Sequence, residues 1–255
     1  MSHSLSPRMH NAAYESLGID FVMAACQVRE DDLPSAIRGV RALSVRGLSV
    51  TMPHKVSLCH LLDELDPVAQ AIGAVNTVVN CNGHLKGYNT DWLGIIRPLN
   101  ERLDLEKKRV GILGAGGAAQ AAAYACTNAR AHVTIFNRTA AKAQQIASVF
   151  NASYAELTQS LDLKSFDVII NTTALGMGVL EGQAPLEAHQ LASHQVVFET
   201  IYAPRETALL SHAQSVGCTV IMGREMFLEQ GAAQFELHTG QAAPRSVMRS
   251  LIERY

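Results

Sequence analysis

Arg109-Val110-Gly111-Ile112-Leu113-Gly114-Ala115-Gly116-Gly117-Ala118-Ala119 is the stretch that decides the fold. Residues 109–113 form a short run of the kind that a strand covered on both faces shows. An Ala-rich helical stretch follows to about residue 129. Between the two, Gly114, Gly116 and Ala119 take the positions of a G-x-G-x-x-G/A loop. In such a loop the first glycine permits a tight turn and the second lets a pyrophosphate approach the backbone. The small third residue lets the helix pack close to the strand. The helix N-terminus adds free N–H groups and positive potential. A Gly-rich turn with no ligand is the plain alternative. The strand before and the helix after favour a dinucleotide loop, with Gly114, Ala115, Gly116, Gly117 and Ala118 as its contacts.

Downstream, β-type and helical periodicity alternate. Strands are expected over 132–136, 167–171, 195–200 and 218–221, and helices over 139–150 and 206–216. Such alternation predicts a parallel, doubly wound sheet. Upstream the pattern is different. It predicts a helix over 7–17, a strand over 21–28, a helix over 32–43 and a short strand over 47–50. Two short helices should flank Pro67, with Asp66 as the cap. A strand over 74–81 turns at Cys81-Asn82-Gly83-His84 into a hairpin partner over 85–88. A helix from about 90 to 103 leads into the charged stretch 104–109, a boundary candidate, and two helices over 224–238 and 246–254 close the chain. The expected fold class is α/β with two lobes. Residues 91–224 would form a Rossmann-type doubly wound sheet, and residues 1–90 with 225–255 a smaller α/β domain.

Composition narrows the function. Of 255 residues, 48% are hydrophobic and 17% charged, which suits folded domains rather than disorder. Lys plus Arg number 21 and Asp plus Glu 23, a near-balance that argues against a nucleic-acid partner. No apolar run reaches the ~18 residues of a membrane span. The stretch 1–10 lacks an apolar signal core. A cytoplasmic protein is expected, monomeric or homodimeric, acting on a small molecule. Cys26, Cys59, Cys81, Cys126 and Cys218 are scattered without C-x-x-C spacing, so reduced thiols and no metal site are expected.

The strand after the glycine loop ends in Asn137-Arg138-Thr139. A site for NAD usually carries Asp or Glu there to hold the ribose 2′-hydroxyl. Arg138 instead offers a guanidinium fork suited to a 2′-phosphate, which points to NADP. The plain alternative is a surface arginine near a helix cap. Asn171-Thr172-Thr173 with Gly176-Met177-Gly178 follows a later strand end, where ligands of doubly wound sheets bind. Thr172 and Met177 join the cofactor candidates on that ground.

In the first lobe, Thr51-Met52-Pro53-His54-Lys55 leaves one strand and Asn89-Thr90-Asp91 leaves another. Each has a bland reading, Lys55 as a solvated lysine and Asp91 as a helix cap. The functional reading is a Lys–Asp pair. An alcohol losing hydride must also lose its hydroxyl proton, so a dehydrogenase needs a base. Lysine, with an ordinary pKa of about 10.4, serves near neutrality only where burial lowers that value, while the aspartate orients it. His54, next to Lys55, is expected to point away in a structural role.

Taken together, these motifs resemble the shikimate/quinate dehydrogenase family over essentially the whole chain. The likeness rests on Ser4-Leu5-Ser6-Pro7 with His10-Asn11, Val50 to Lys55, Gly73-Ala74-Val75-Asn76-Thr77 and Asn89-Thr90-Asp91. It continues through the glycine loop, Asn137-Arg138-Thr139, Asn171-Thr172-Thr173, Tyr202 with Pro204 and Thr207, and the stretch from Gly223 to Gln230. The resemblance implies that Lys55 and Asp91 are the catalytic pair. It implies that Ser4, Ser6 and Tyr202 hold a substrate carboxylate, and that Thr51, Asn76 and Gln230 bond ring hydroxyls. Gly223 falls with the cofactor residues. The implied reaction is reversible NADPH-dependent reduction of 3-dehydroshikimate to shikimate, in the biosynthesis of aromatic amino acids. A relative using quinate or NAD, or a non-catalytic sensor of the same fold, is the alternative. Intact Lys55, Asp91 and glycine loop argue against a sensor.

The chain departs from the family pattern in four places. Before Ser4 the family carries a strand and a Gly-Asn-Pro turn that have no counterpart in Met1-Ser2-His3; either the start is truncated or the sheet does without that strand, and a missing strand would leave an unpaired sheet edge. Ser49 stands where Asn is usual, so a hydrogen bond beneath the substrate loop should differ. Glu199 replaces the usual Asp, and Ala174 the usual Pro.

Overall fold

Pro7, with its fixed φ, opens the first helix, α1 (Ser6–Ser16), which buries Met9, His10, Ala13 and Tyr14. The computed structural model describes residues 4–158 and 160–254. It divides the chain into two units, Met1–Thr90 with Leu228–Tyr255, and Asp91–Phe227.

In the first unit the strand expected over 21–28 does not form. Among the described residues no strand lies beside this segment to complete a ladder. Its backbone is held by a side chain instead. Asn11 Nδ2 donates to Met23 O at 3.0 Å, and Met23 N donates back to Asn11 Oδ1 at 2.7 Å. Val22 stays 84% exposed, which a strand in a sheet with one buried face would not tolerate twice in succession with Phe21 at 40%.

Next come α2 (Leu33–Ala42), β1 (Gly47–Ser49), β2 (Glu64–Leu65) and α3 (Pro67–Ile72). Asp66 caps α3 by accepting from Val68 N at 3.0 Å, as expected of it. β2 was not foreseen, because two residues carry no period. β3 (Thr77–Cys81) and β4 (His84–Tyr88) form the hairpin, with φ of 54° at Asn82 and 89° at Gly83, the pair of positive values a type I′ turn requires. β3 starts later than residue 74 because Val75 N donates to Lys55 O at 2.8 Å rather than to a neighbouring strand. The sheet order is β1-β3-β4-β2, antiparallel except for β2 beside β4. Leu58, Val75, Val78 and Leu85 fill the core beneath it.

The second unit begins with α4 (Asp91–Asn100) and alternates from there: β5 (Arg109–Leu113), α5 (Gly117–Asn128), β6 (His132–Asn137), α6 (Ala140–Phe150) and β7 (Ser153–Glu156). It continues with β8 (Val168–Asn171), β9 (Val196–Glu199), α7 (Ala208–Val216) and β10 (Thr219–Ile221). The six strands are parallel in the order β10-β9-β8-β5-β6-β7. This is the two-halved order of a Rossmann sheet, with its reversal between β5 and β8. Every residue of β8 and β9 is buried, as helix cover on both faces demands. α5 presents Ala119, Ala122, Ala123 and Cys126 to the core, and side chains this small let it lie close to the strands. β7 was not foreseen either. It is a mostly exposed edge strand without an apolar signature. α8 (Gly223–Thr239) carries the chain back to the first unit, where α9 (Arg245–Arg254) ends the described fold. Among the described residues no helix is long and apolar enough to cross a membrane.

Candidate active site

The carboxyl ends of β5 and β8, at the reversal of strand order, carry Gly114 and Thr172. Gly114 N donates to Phe136 O at 2.7 Å, and its φ is 112°. Thr172 binds the same strand end twice, through N at 2.8 Å and Oγ1 at 2.7 Å, both to Leu113 O. A Cβ on Gly114 would lie 2.6 Å from Thr172 Oγ1, so conformation and space both require glycine there. Gly116 differs. A Cβ there would meet nothing within 4 Å among the described residues, leaving the face over the first turn of α5 open. The first N–H groups of that helix have no intrahelical acceptor. An open glycine over a helix N-terminus suits the close approach of a pyrophosphate. Ala115, Gly117 and Ala118 are partly exposed around it, and Ala119 is buried against the strands.

At the end of β6, Asn137 Nδ2 donates to Thr139 O at 3.0 Å and closes a tight turn. Arg138 in this turn is exposed, and residues 137–139 include no carboxylate. β7 does bring one near, since Glu156 is in register with Asn137. With an exposed guanidinium and no carboxylate in the turn itself, the donor set still fits a dinucleotide with a 2′-phosphate. The cavity of about 320 Å³ lined by Arg109, His132 and Ser153 lies at the opposite, amino ends of the strands.

The loops after β8 and β9 are tied together by a buried carboxylate. Glu199 is fully buried. Asn171 Nδ2 donates to both of its oxygens at 3.0 Å, Ile201 N donates at 3.0 Å, and Thr207 Oγ1 donates at 2.9 Å. Asn171 Oδ1 in turn accepts from Thr173 N at 3.0 Å and Thr173 Oγ1 at 2.8 Å. Burial raises the Glu199 carboxyl above the ordinary carboxylate range, against the lowering effect of these donors. Met177 is exposed on the first of the two loops. Tyr202, on the second, stacks on Phe227 with centroids 4.4 Å apart. A Cβ on Gly223 would run into the Ile201 carbonyl, so this glycine lets α8 start against the Tyr202 loop.

In the first unit, the loop from Thr51 to Lys55 is pinned at both ends to one segment. Val50 N donates to Asn76 O at 2.7 Å, and Val75 N donates to Lys55 O at 2.8 Å. Thr51 is exposed, Lys55 is half-buried and Asn76 is buried. The Asn76 amide is oriented by Thr90. Its Oδ1 accepts from Thr90 N at 2.7 Å, and its Nδ2 donates to Thr90 Oγ1 at 3.0 Å. Thr90 Oγ1 also donates to Gln230 O at 3.0 Å, which sets Gln230 beside this group. Thr51, Lys55, Asn76 and Gln230 are thus gathered in one neighbourhood. Ser4 Oγ accepts from Ser6 N at 3.4 Å at the start of α1. α1 packs on α8, with Met9 against Gly231 and the His10 ring 6.4 Å from that of Phe235. Asp91 is buried in the first turn of α4. His54 turns aside, its Nε2 3.0 Å from Val28 O, the structural role expected of it. Ser49 Oγ donates to Gln234 Oε1 at 2.8 Å, and Gln234 Nε2 donates to Asn76 O at 3.2 Å. Among the described residues no group of three or more His, Cys, Asp or Glu is arranged to hold a metal ion.

Residues 1–78 match the family described as "Shikimate dehydrogenase substrate binding domain" and residues 99–216 match "Shikimate / quinate 5-dehydrogenase". Residues 223–253 match "Shikimate 5'-dehydrogenase C-terminal domain". This chain belongs to the shikimate dehydrogenase family. The shikimate dehydrogenase (NADP(+)) of Dehalococcoides mccartyi is 40% identical over 258 residues, covering 97% of this chain and 90% of that protein. A shikimate dehydrogenase crystallised with NADP+ superposes with a TM-score of 0.93 at 37% identity, covering 99% of this chain and 91% of that one. The Thermus thermophilus shikimate 5-dehydrogenase, crystallised with NADP(H) and shikimate, gives 0.91 at 34%, covering 99% and 95%.

The sequence marks Glu199 only as a family departure and gives no sign that it ties the loops after β8 and β9, nor that Glu156 stands beside the Arg138 turn. In both cases the signal is pairing across strands, Asn171 with Glu199 and Asn137 with Glu156. No local pattern contains it.

Proposed function

We propose that this chain catalyses the reversible NADPH-dependent reduction of 3-dehydroshikimate to shikimate, as a cytoplasmic enzyme acting as monomer or homodimer without nucleic-acid or membrane partners. Residues 1–90 with 225–255 would bind the substrate and residues 91–224 the cofactor. The observation that carries the reading is the glycine loop at the reversal of strand order, with Arg138 and no carboxylate at the end of β6. Family membership supports the substrate.

On this reading Gly114 to Ala118 cradle the pyrophosphate, and Arg138 with Asn137 and Thr139 takes the 2′-phosphate. Thr172, Met177 and Gly223 serve the nicotinamide end. NADP bound there supplies the hydride acceptor or donor. The remaining demands fall on the chain. As the alcohol carbon gives up hydride, its hydroxyl proton passes to Lys55, and in reduction the Lys55 ammonium returns it. Asp91 balances the lysine charge. Ser4, Ser6 and Tyr202 hold the carboxylate, and Thr51, Asn76 and Gln230 bond the ring hydroxyls. The orientation of the Asn76 amide by Thr90 supports that role, because a fixed amide presents its donors without further ordering.

The test is absorbance of the reduced nicotinamide, with shikimate and quinate each offered with NADP+ and NAD+. Fast turnover with shikimate and NADP+ alone is expected. Preference for quinate or NAD+ would move the chain to another branch of the family. A folded protein with no turnover in any pairing would overturn the enzymatic reading.

A further inference from the structure

We propose that Glu199 is a positioning residue that holds the loops carrying Thr172, Met177 and Tyr202 in one arrangement, an inference that rests on the cofactor and substrate roles given to those loops. Each group facing its carboxylate is a donor: the Asn171 amide, Ile201 N and the Thr207 hydroxyl, with the Thr200 N–H beside them. These donors favour the ionised carboxylate against its burial, and they fix one another's geometry, since none can turn away without leaving a buried acceptor oxygen short of a partner.

Each donor passes the constraint outward. Asn171, held through Nδ2, must present Oδ1 to Thr173, whose Oγ1 accepts from Leu175 N at 3.2 Å and shapes the loop that leads to Met177. Thr207 Oγ1 also accepts from Leu210 N at 3.4 Å and caps α7. Thr207 further walls the first loop, because a Cβ on Gly176 would lie 3.3 Å from Thr207 Cβ. The second loop is stitched to β8 as well, Thr200 Oγ1 donating to Asn171 O at 2.8 Å. One carboxylate thus sets the start of both loops, and none of these groups belongs to the candidate binding residues themselves.

The proposal is tested with Glu199→Gln and Glu199→Asp in the full chain. Glutamine keeps the size and supplies one acceptor oxygen in place of two, so an amide N–H must face a donor. Glu199→Gln is expected to lower kcat/KM by about 10-fold or more, with KM for shikimate and for NADP+ both raised. The preference for NADP+ over NAD+, set at the end of β6, should not change. Glu199→Asp restores the charge and should recover part of the loss. Hydrogen–deuterium exchange should rise in residues 172–178 and 200–207 of Glu199→Gln and stay unchanged in β5 and α5. That readout needs no turnover, so it stands even where the wild type fails to oxidise shikimate, which would sink the functional reading instead. The proposal is overturned by unchanged exchange in both loops. It is equally overturned by kinetics per folded molecule equal to wild type, whatever the melting temperature, or by an aspartate variant no better than the glutamine one.

Discussion

In the second unit the central strands β8 and β9 are buried along their whole length and are almost wholly apolar, so polar chemistry there is confined to the strand ends and the loops beyond them. In the first unit the polar groups sit within the fold itself. Asn76, Thr77, Asn80, Asn89 and Thr90 are all buried in or beside the four-stranded sheet, and His10 of α1 and His238 of α8 are buried as well. The contrast follows from what each sheet must do. A parallel sheet covered by helices can present a ligand only at its rim, where glycines let the backbone itself make the contact. A small mixed sheet can orient side-chain amides from inside, provided each buried polar group finds a partner. The second unit would then recognise its ligand largely through backbone and the first through side chains.

The sharpest way to break this contrast is Lys55→Ala. If the first unit acts through side chains, kcat should fall by about 10²- to 10⁴-fold with KM changed far less, since a base acts in the transition state. Steady-state rates with shikimate and NADP+ would check this, and an unchanged kcat would remove Lys55 from the chemistry.

The buried polar interior should also make the first unit acid-sensitive. His10 is fully buried, neither ring nitrogen has a partner among the described residues, and burial with the neighbouring His238 lowers its pKa from 6.5 to about 3. The unfolded chain therefore takes the proton first. This contribution to stability is complete above pH 6.5 and falls away as pH drops toward 3. The loss should reach about 2 kcal/mol by pH 5, read from urea unfolding at pH 7 and pH 5. His10→Leu should flatten that slope, leaving the smaller part due to His238, which burial also lowers.

At the rim of the second unit, Arg138→Ala should weaken NADP+ by about 10-fold or more and leave NAD+ nearly unaffected, as titration by calorimetry would report. Equal losses for both would refute the 2′-phosphate assignment. The smallest effect is expected one strand away. Glu156→Gln should tighten NADP+ by less than about 3-fold, and only at low salt, since the charge is exposed and screened.

Legibility in the sequence followed the same divide. The alternation of β5, α5, β6 and α6 and the Gly114 loop were readable because apolar runs, glycines and a short strand-to-helix turn are local signals. The hairpin at Asn82-Gly83 was readable for the same reason, since positive φ at two successive residues selects its own residue types. The segment 21–28 misled because its composition suits a strand, while a strand exists only where a neighbour completes its hydrogen bonds. β2 and β7 were missed in reverse, as two short segments made strands by their neighbours.

The sequence by itself determined the class of fold, the glycine loop, the residue types for a 2′-phosphate, and family membership through motifs in order. Tertiary structure alone decided that Asn171 and Glu199 share a rim, that Glu156 stands beside the Arg138 turn, and that Asn76, Thr90 and Gln230 form one polar group. The physical reason is sequence distance. A turn or a helix cap is settled among residues a few places apart, whereas a buried carboxylate finds its donors only after strands distant in sequence have been laid side by side.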